Sequence, residues 1–131
     1  MKPERWCLQL PDSSAALRRR HEFRQYLRQY GRAGDDYLAA EVIFGELVGN
    51  AVRYAPGPIE VLVEWPNGHA MIHVSDTGYP VETRPVETPD PYAQGGRGLL
   101  IVSRLASAAI TSTVYADLGK TVSVALPVHA R

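Results

Sequence analysis

The spacing of apolar positions along this chain switches between helical and strand periods, and the switches outline its elements. Trp6 to Leu10 reads as a short strand stopped by Pro11, after which Asp12 or Ser13 can cap a helix. Within that helix Ala16, Phe23, Tyr26, Leu27 and Tyr30 recur near helical spacing and aim one stripe at a core; Gly31 and Gly34 close it. Asp35 or Asp36 caps a second helix running to about Tyr54, where Ala55, Pro56, Gly57 and Pro58 forbid continuation. Ile59, Val61, Val63 and Trp65 then alternate with Glu60, Leu62 and Glu64, the period of a strand with one buried face. Ile72 and Val74 repeat that period beyond a turn at Pro66, Asn67 and Gly68, which predicts an antiparallel hairpin.

Residues 81–95 show neither period and hold Pro85, Pro89 and Pro91, so they read as a long loop of the kind that forms lids or binding loops. Helical character resumes from Leu99 to Ala106, with Leu99, Val102, Leu105 and Ala106 on one side. Ile110 to Tyr115 and Thr121 to Leu126 predict a second hairpin, turning over Ala116, Asp117, Leu118 and Gly119. Helices gather early and around the glycines while hairpins fill the rest. That order predicts an α+β domain with helices layered on one face of a largely antiparallel sheet.

Composition narrows the function. A chain of 131 residues forms one sizeable core, so a single domain over 1–131 is expected. Fourteen Lys and Arg balance fourteen Asp and Glu, which gives no support to direct nucleic-acid binding, and apolar runs such as Leu99 to Val102 are far too short to span a membrane. Met1 to Pro11 lacks the apolar stretch of a signal peptide, so the cytoplasm is the expected location. The single cysteine, Cys7, excludes an internal disulfide, and His69 and His73 lack the further ligands of a zinc site. Arg18, Arg19, Arg20, Arg24 and Arg28 form a basic face on the first helix: a solvated surface, or a docking face for an acidic protein.

Three constellations carry candidate chemistry. Glu46 and Asn50 stand one turn apart on the second helix, and Arg53 continues their stripe. Exposed helix faces often carry such residues; read functionally, Glu46 is a general base and Asn50 offers a hard oxygen to Mg²⁺. Asp76 leaves a buried-looking strand ahead of Thr77 and Gly78, where a carboxylate can accept a hydrogen bond from an exocyclic amine or simply serve an ordinary turn. Gly95, Gly96, Arg97, Gly98 and Leu99 open a helix, as a hinge or as a cradle of free amides for phosphate. Gly119-Lys-Thr121 ends like a P-loop but lacks the earlier glycine, since position 114 is Val114.

In order, Glu46-Leu-Val-Gly-Asn50-Ala, Asp76-Thr-Gly78, Gly96-Arg-Gly98-Leu99 and Gly119-Lys-Thr121 resemble the Bergerat-fold (GHKL) ATPases. Within that superfamily the chain is most similar to the anti-sigma-factor serine/threonine kinase branch of the histidine kinase-like ATPase domains, from about Leu10 to Val128. The resemblance implies a two-layer α/β sandwich with a mixed, mainly antiparallel sheet and ATP held under a nucleotide lid at about 81–95. It also implies a role for each matching residue. Glu46 is the general base, Asn50 a ligand of Mg²⁺ on the phosphates, Asp76 the partner of the adenine amine and Thr121 a support for adenine, directly or through water. Gly78 lets the backbone approach the base, the amides at Gly96, Gly98 and Leu99 cradle phosphate, and Arg53 and Arg97 contact phosphate or lid. Leu100 departs from the pattern, where many relatives carry another glycine, which stiffens the lid hinge.

The resemblance implies a cytoplasmic kinase whose partners are a sigma factor and an anti-anti-sigma (STAS-type) acceptor protein, working as a homodimer. The alternative is a nucleotide-gated module that binds its partner without catalysis. A detached histidine-kinase module fits less well, because no helical segment with a phospho-acceptor His precedes the domain and His21 lies within its first helix.

Overall fold

The computed structural model describes residues 2–54, 57–76, 101–102, 104–106, 111–115 and 119–131. Their elements are β1 (Trp6–Leu10), α1 (Ser13–Leu17), α2 (Arg20–Tyr30), α3 (Tyr37–Tyr54), β2 (Ile59–Glu64), β3 (His69–Asp76), β4 (Thr111–Tyr115) and β5 (Gly119–His129). Residues 101–102 and 104–105 are also helical. The five strands form one sheet in the order β1-β2-β3-β5-β4, and helices cover one face of it. The expected α+β two-layer arrangement is therefore observed. All the pairings are antiparallel, so the described strands include no parallel pair of the kind a mixed sheet would contain.

Register explains why the sheet has two unlike faces. Leu8, Val61, Val74 and Val122 lie directly opposite one another across four strands, and all are buried. One residue along, Gln9, Glu60, Ser75 and Thr121 form a wholly polar row. Opposite residues share a face and successive residues alternate, so the first row belongs to the core and the second to the uncovered side. Side chains pair across that uncovered side as well. His73 Nδ1 meets Ser123 Oγ at 2.6 Å, His73 Nε2 meets Glu64 Oε1 at 2.8 Å, and the Ser75 and Thr121 hydroxyls lie 2.8 Å apart. The β2–β3 turn places Asn67 and Gly68 at φ 54° and 77°, the two residue types that enter the left-handed region at least cost.

α3 supplies the other half of the core. Ala40, Ile43, Phe44, Leu47, Val48 and Ala51 are buried at helical spacing and meet Val61, Val63, Ile72, Val124 and Leu126 from the sheet. Asp36 caps this helix, its Oδ1 accepting from the Ala39 N–H at 2.9 Å. Asp35 instead ties the loop to the end of β5, accepting from the backbone N–H groups of Arg32 and His129. Phe23 of α2 stacks on Phe44, with ring centroids 4.6 Å apart. Trp65, just beyond β2, donates its indole N–H to the Tyr26 hydroxyl at 2.7 Å. Of the expected inward stripe, Ala16, Phe23 and Leu27 are fully buried, while Tyr26 and Tyr30 are half-buried at its margin.

The first helix departs from expectation. It is read from sequence as continuous, yet the helix is interrupted at Arg18 and Arg19, with Arg19 at φ −92° and ψ 10°, so that α1 ends at Leu17 and α2 begins at Arg20. No breaker marks the interruption; Leu and Arg are both good helix formers, and packing of α1 on β1 and α3 outweighs local propensity. The basic face is partly engaged within the molecule. Arg24 pairs with Glu41 at 3.3 Å, Arg19 with Glu22 at 2.9 Å, and Arg28 lies over the Tyr37 ring.

At the far end Arg131 closes α2, donating to the carbonyls of Gly31 at 2.6 Å and Arg28 at 3.1 Å. Gly31 is required there for space. A Cβ on it would strike the Tyr37 hydroxyl and come within 2.8 Å of Val128 Cγ1 and 2.9 Å of the Leu27 carbonyl oxygen. Gly31→Ala is accordingly expected to destabilise the domain by about 1–3 kcal/mol. Urea unfolding would show this as a lower midpoint at unchanged slope, and an unmoved midpoint would contradict it.

Candidate functional site

The same burial that anchors α3 decides where its polar residues go. Phe44 faces α2, and Glu46, two residues on, stands about 160° around the helix from it. Glu46 and Asn50 therefore occupy the flank of α3 turned away from α2, both half-buried at the margin of the core, and Arg53 is exposed beyond them. Glycines sit beside this stripe with different surroundings. Gly45 lies against the Arg20 guanidinium, whereas a Cβ on Gly49 would meet nothing within 4 Å among the described residues.

Asp76 is the last residue of β3 and shares the parity of Ala70, Ile72 and Val74, all buried beneath the helices. Alternation puts its carboxylate on the face that carries α3. It is half-buried there, and burial holds its carboxyl above the usual carboxylate range, against the opposing pull of the Lys120 ammonium and the Lys120 backbone N–H. A half-buried carboxylate suits an amine donor brought by a ligand.

Glu46, Asn50 and Asp76 thus lie on the helix side of the sheet. Thr121, expected to support adenine, is not brought to that side. It pairs with Ser75 on the uncovered face, and its hydroxyl is engaged there. The residue directly across from Asp76 is Lys120. Sequence reading passed over Lys120 although a signal existed: Val122, Val124 and Leu126 alternate as core positions, and counting back by two reaches position 120, not 121. Gly78, Gly96, Arg97, Gly98, Leu99 and the lid at about 81–95 lie outside the described residues.

The two histidines of β3 are each engaged by neighbouring strands. The His69 Nε2 contacts the Leu126 carbonyl at 2.7 Å and its ring stacks on His129, while His73 spans Ser123 and Glu64. Among the described residues no group of three or more His, Cys, Asp or Glu could hold a metal ion. A cavity of about 370 Å³ opens at the sheet edge between Gln9, Leu10, Pro11, Pro58, Ile59 and Glu60. Its one carboxylate, Glu60, is occupied by the Gln9 amide at 2.8 Å, and its lining includes none of Glu46, Asn50 and Asp76.

A family model described as the histidine kinase-like ATPase domain matches residues 10–126, nearly the whole chain. The chain belongs to that family. No match is found among curated proteins. A histidine kinase-like ATPase domain is an ATP-binding module, and Mg²⁺ is the usual companion of ATP. The donor set present fits both groups. Asp76 offers an acceptor to a purine amine, and Asn50 a neutral amide oxygen, hard enough for Mg²⁺ when phosphate oxygens complete the coordination. No helix among the described residues of the domain is long and apolar enough to cross a membrane.

The raised carboxyl of Asp76 has a consequence for stability. A carboxyl whose folded-state pKa exceeds its unfolded value favours folding below the unfolded pKa and loses that contribution as pH rises through the folded pKa. At neutral pH the ionised group opposes folding. Asp76→Asn is therefore expected to raise the melting temperature at about pH 7, with the gap closing as the wild-type carboxyl protonates toward about pH 4. Scanning calorimetry across that range is the check; a less stable variant at neutral pH would contradict the assignment.

Proposed function

We propose that this domain is an ATP-dependent protein serine/threonine kinase of the anti-sigma type. The observation that supports the reading is the placement of Glu46 and Asn50 on the flank of α3 turned away from α2, on the same side of the sheet as the half-buried Asp76. A carboxylate one helical turn from a hard-oxygen ligand can serve a phosphate-bearing substrate with both a base and a metal contact. When bound, Mg-ATP supplies the transferable γ-phosphoryl group, and phosphoryl transfer depends chiefly on positioning and charge neutralisation.

Each residue then has a defined task. Asp76 accepts an N–H from the purine amine and so sets the orientation of the nucleotide. Asn50 offers its amide oxygen to the cation. Glu46 takes the proton from the acceptor hydroxyl as that oxygen forms its bond to phosphorus and the bond to the departing diphosphate breaks. The partners in this reading are a sigma factor and a STAS-type anti-anti-sigma protein that carries the acceptor serine or threonine, with the kinase acting as a homodimer.

The test is transfer of labelled phosphate from Mg-ATP to STAS-type proteins of the same organism. Glu46→Gln is expected to lower the rate by at least about a hundredfold while leaving Mg-ATP affinity nearly intact, as loss of a general base requires. Asn50→Ala is expected to weaken Mg-ATP binding itself. If wild type binds Mg-ATP and a partner yet transfers nothing, the domain is a nucleotide-gated binding module and the kinase assignment fails.

A further inference from the structure

The uncovered face of the sheet carries a chain of three functional groups that the nucleotide reading leaves unused. Glu64 ends β2, His73 lies within β3, and Ser123 of β5 is the residue directly across from His73. The His73 ring bridges the other two, with Nδ1 2.6 Å from Ser123 Oγ and Nε2 2.8 Å from Glu64 Oε1. A carboxylate only accepts, so Nε2 carries a proton and donates to Glu64. The neutral imidazole then has its lone pair at Nδ1, and the Ser123 hydroxyl donates to it. Arg5 Nη2 lies 3.8 Å from the second Glu64 oxygen and gives the carboxylate a cation there. A hydroxyl, a base and an orienting acid within hydrogen-bond reach in that order are the arrangement that makes a serine nucleophilic, and geometry identifies it whatever the chain order.

The His73 and Glu64 side chains keep 21 % and 31 % of their surface exposed, and the helices cover the opposite face, so the three groups open to solvent. Two residues along the same face of β3 and β5, the Ser75 and Thr121 hydroxyls lie 2.8 Å apart. Only one of them can donate to the other, which leaves a hydroxyl hydrogen beside the group for an incoming oxygen. We propose that Ser123 is a nucleophile, with His73 as its base and Glu64 positioning the ring, in a second site that takes an acyl group from small activated esters. An open face supplies little binding energy, which restricts the substrate to esters with a good leaving group. The Ser123 oxygen bonds to the acyl carbon as its proton passes to His73 Nδ1. The imidazolium, held by Glu64, then gives that proton to the departing alkoxide. Water repeats the sequence: it loses a proton to His73, bonds to the acyl carbon and releases Ser123, which recovers the proton. Nothing in this site depends on the nucleotide reading, since it lies on the other side of the sheet from Asp76.

The test is labelling of the full chain with an ethoxy fluorophosphonate probe, in which a serine oxygen bonds to phosphorus, fluoride leaves and the base takes the hydroxyl proton. Peptide mass spectrometry locates the adduct. Wild type is expected to carry it at Ser123, formed at least about a hundredfold faster than on the same chain unfolded in urea, the usual contribution of a positioned base. His73→Gln, which keeps a hydrogen-bonding side chain but no base, is expected to slow labelling by about a hundredfold. Glu64→Gln is expected to slow it at least about tenfold at an unchanged melting temperature, because an amide can donate to Nε2 and so admit the tautomer protonated at Nδ1. The wild-type chain alone can overturn the proposal: no adduct at Ser123, or one formed no faster than in urea, is enough. A lower melting temperature in Glu64→Gln with labelling undiminished also overturns it, since the three groups would then serve only to tie β2, β3 and β5 together. Hydrolysis of p-nitrophenyl acetate that is lost in Ser123→Ala, with an acetyl adduct on wild-type Ser123, is the expected result for the acyl transfer itself.

Discussion

One constraint governs this domain: a single helix, α3, must bury one long side against one face of a five-stranded sheet. Phe44 meets Phe23 of α2 and Trp6 of β1, and Ile43, Leu47, Val48 and Ala51 are buried along with it. With that stripe settled, the rotation of the helix is no longer free. Glu46 and Asn50 emerge on the flank away from α2 because 3.6 residues per turn leave them no other place. The chemistry of the helix is thus a by-product of its packing, and a change that rotated α3 would move both residues together.

The sheet obeys a parallel rule. Its core face repeats Val and Ile through successive rows until the row containing Asp76 and Lys120, where an acid and a base replace the apolar pair. That substitution opposes stability, since burial holds the carboxyl above its usual range even with a cation opposite. A polar pair at the end of an otherwise apolar face is the type of local inconsistency that functional sites display. The uncovered face tolerates polarity without such tension, because its Ser, Thr, His and Glu side chains pair with one another at the surface.

Much of this was readable in the sequence. The bounds of β1, the cap at Asp12, the end of α3 at Tyr54 and the antiparallel hairpin of β2 and β3 follow from breakers, caps and a period of two, all local signals. The break between α1 and α2 was not readable, because nothing in Leu17, Arg18, Arg19 and Arg20 disfavours a helix and the interruption exists only to seat α1 against distant elements. The placement of Thr121 was not readable either. Residue type singled it out beside Gly119 and Lys120, but the pleat turns it to the opposite side from Asp76, and type carries no information about parity.

The sequence by itself determined the elements, the caps, the apolar stripe of α3 and membership in a nucleotide-binding family, because each depends on neighbours within a few turns or on the order of short motifs. Only the tertiary structure decided which polar residues share a side. Strand register sets Lys120 across from Asp76 and sends Thr121 away, and the packing of α3 sets the flank on which Glu46 and Asn50 appear. Both outcomes depend on contacts between residues far apart in the chain, and a shift of one residue in pairing would reverse the first of them.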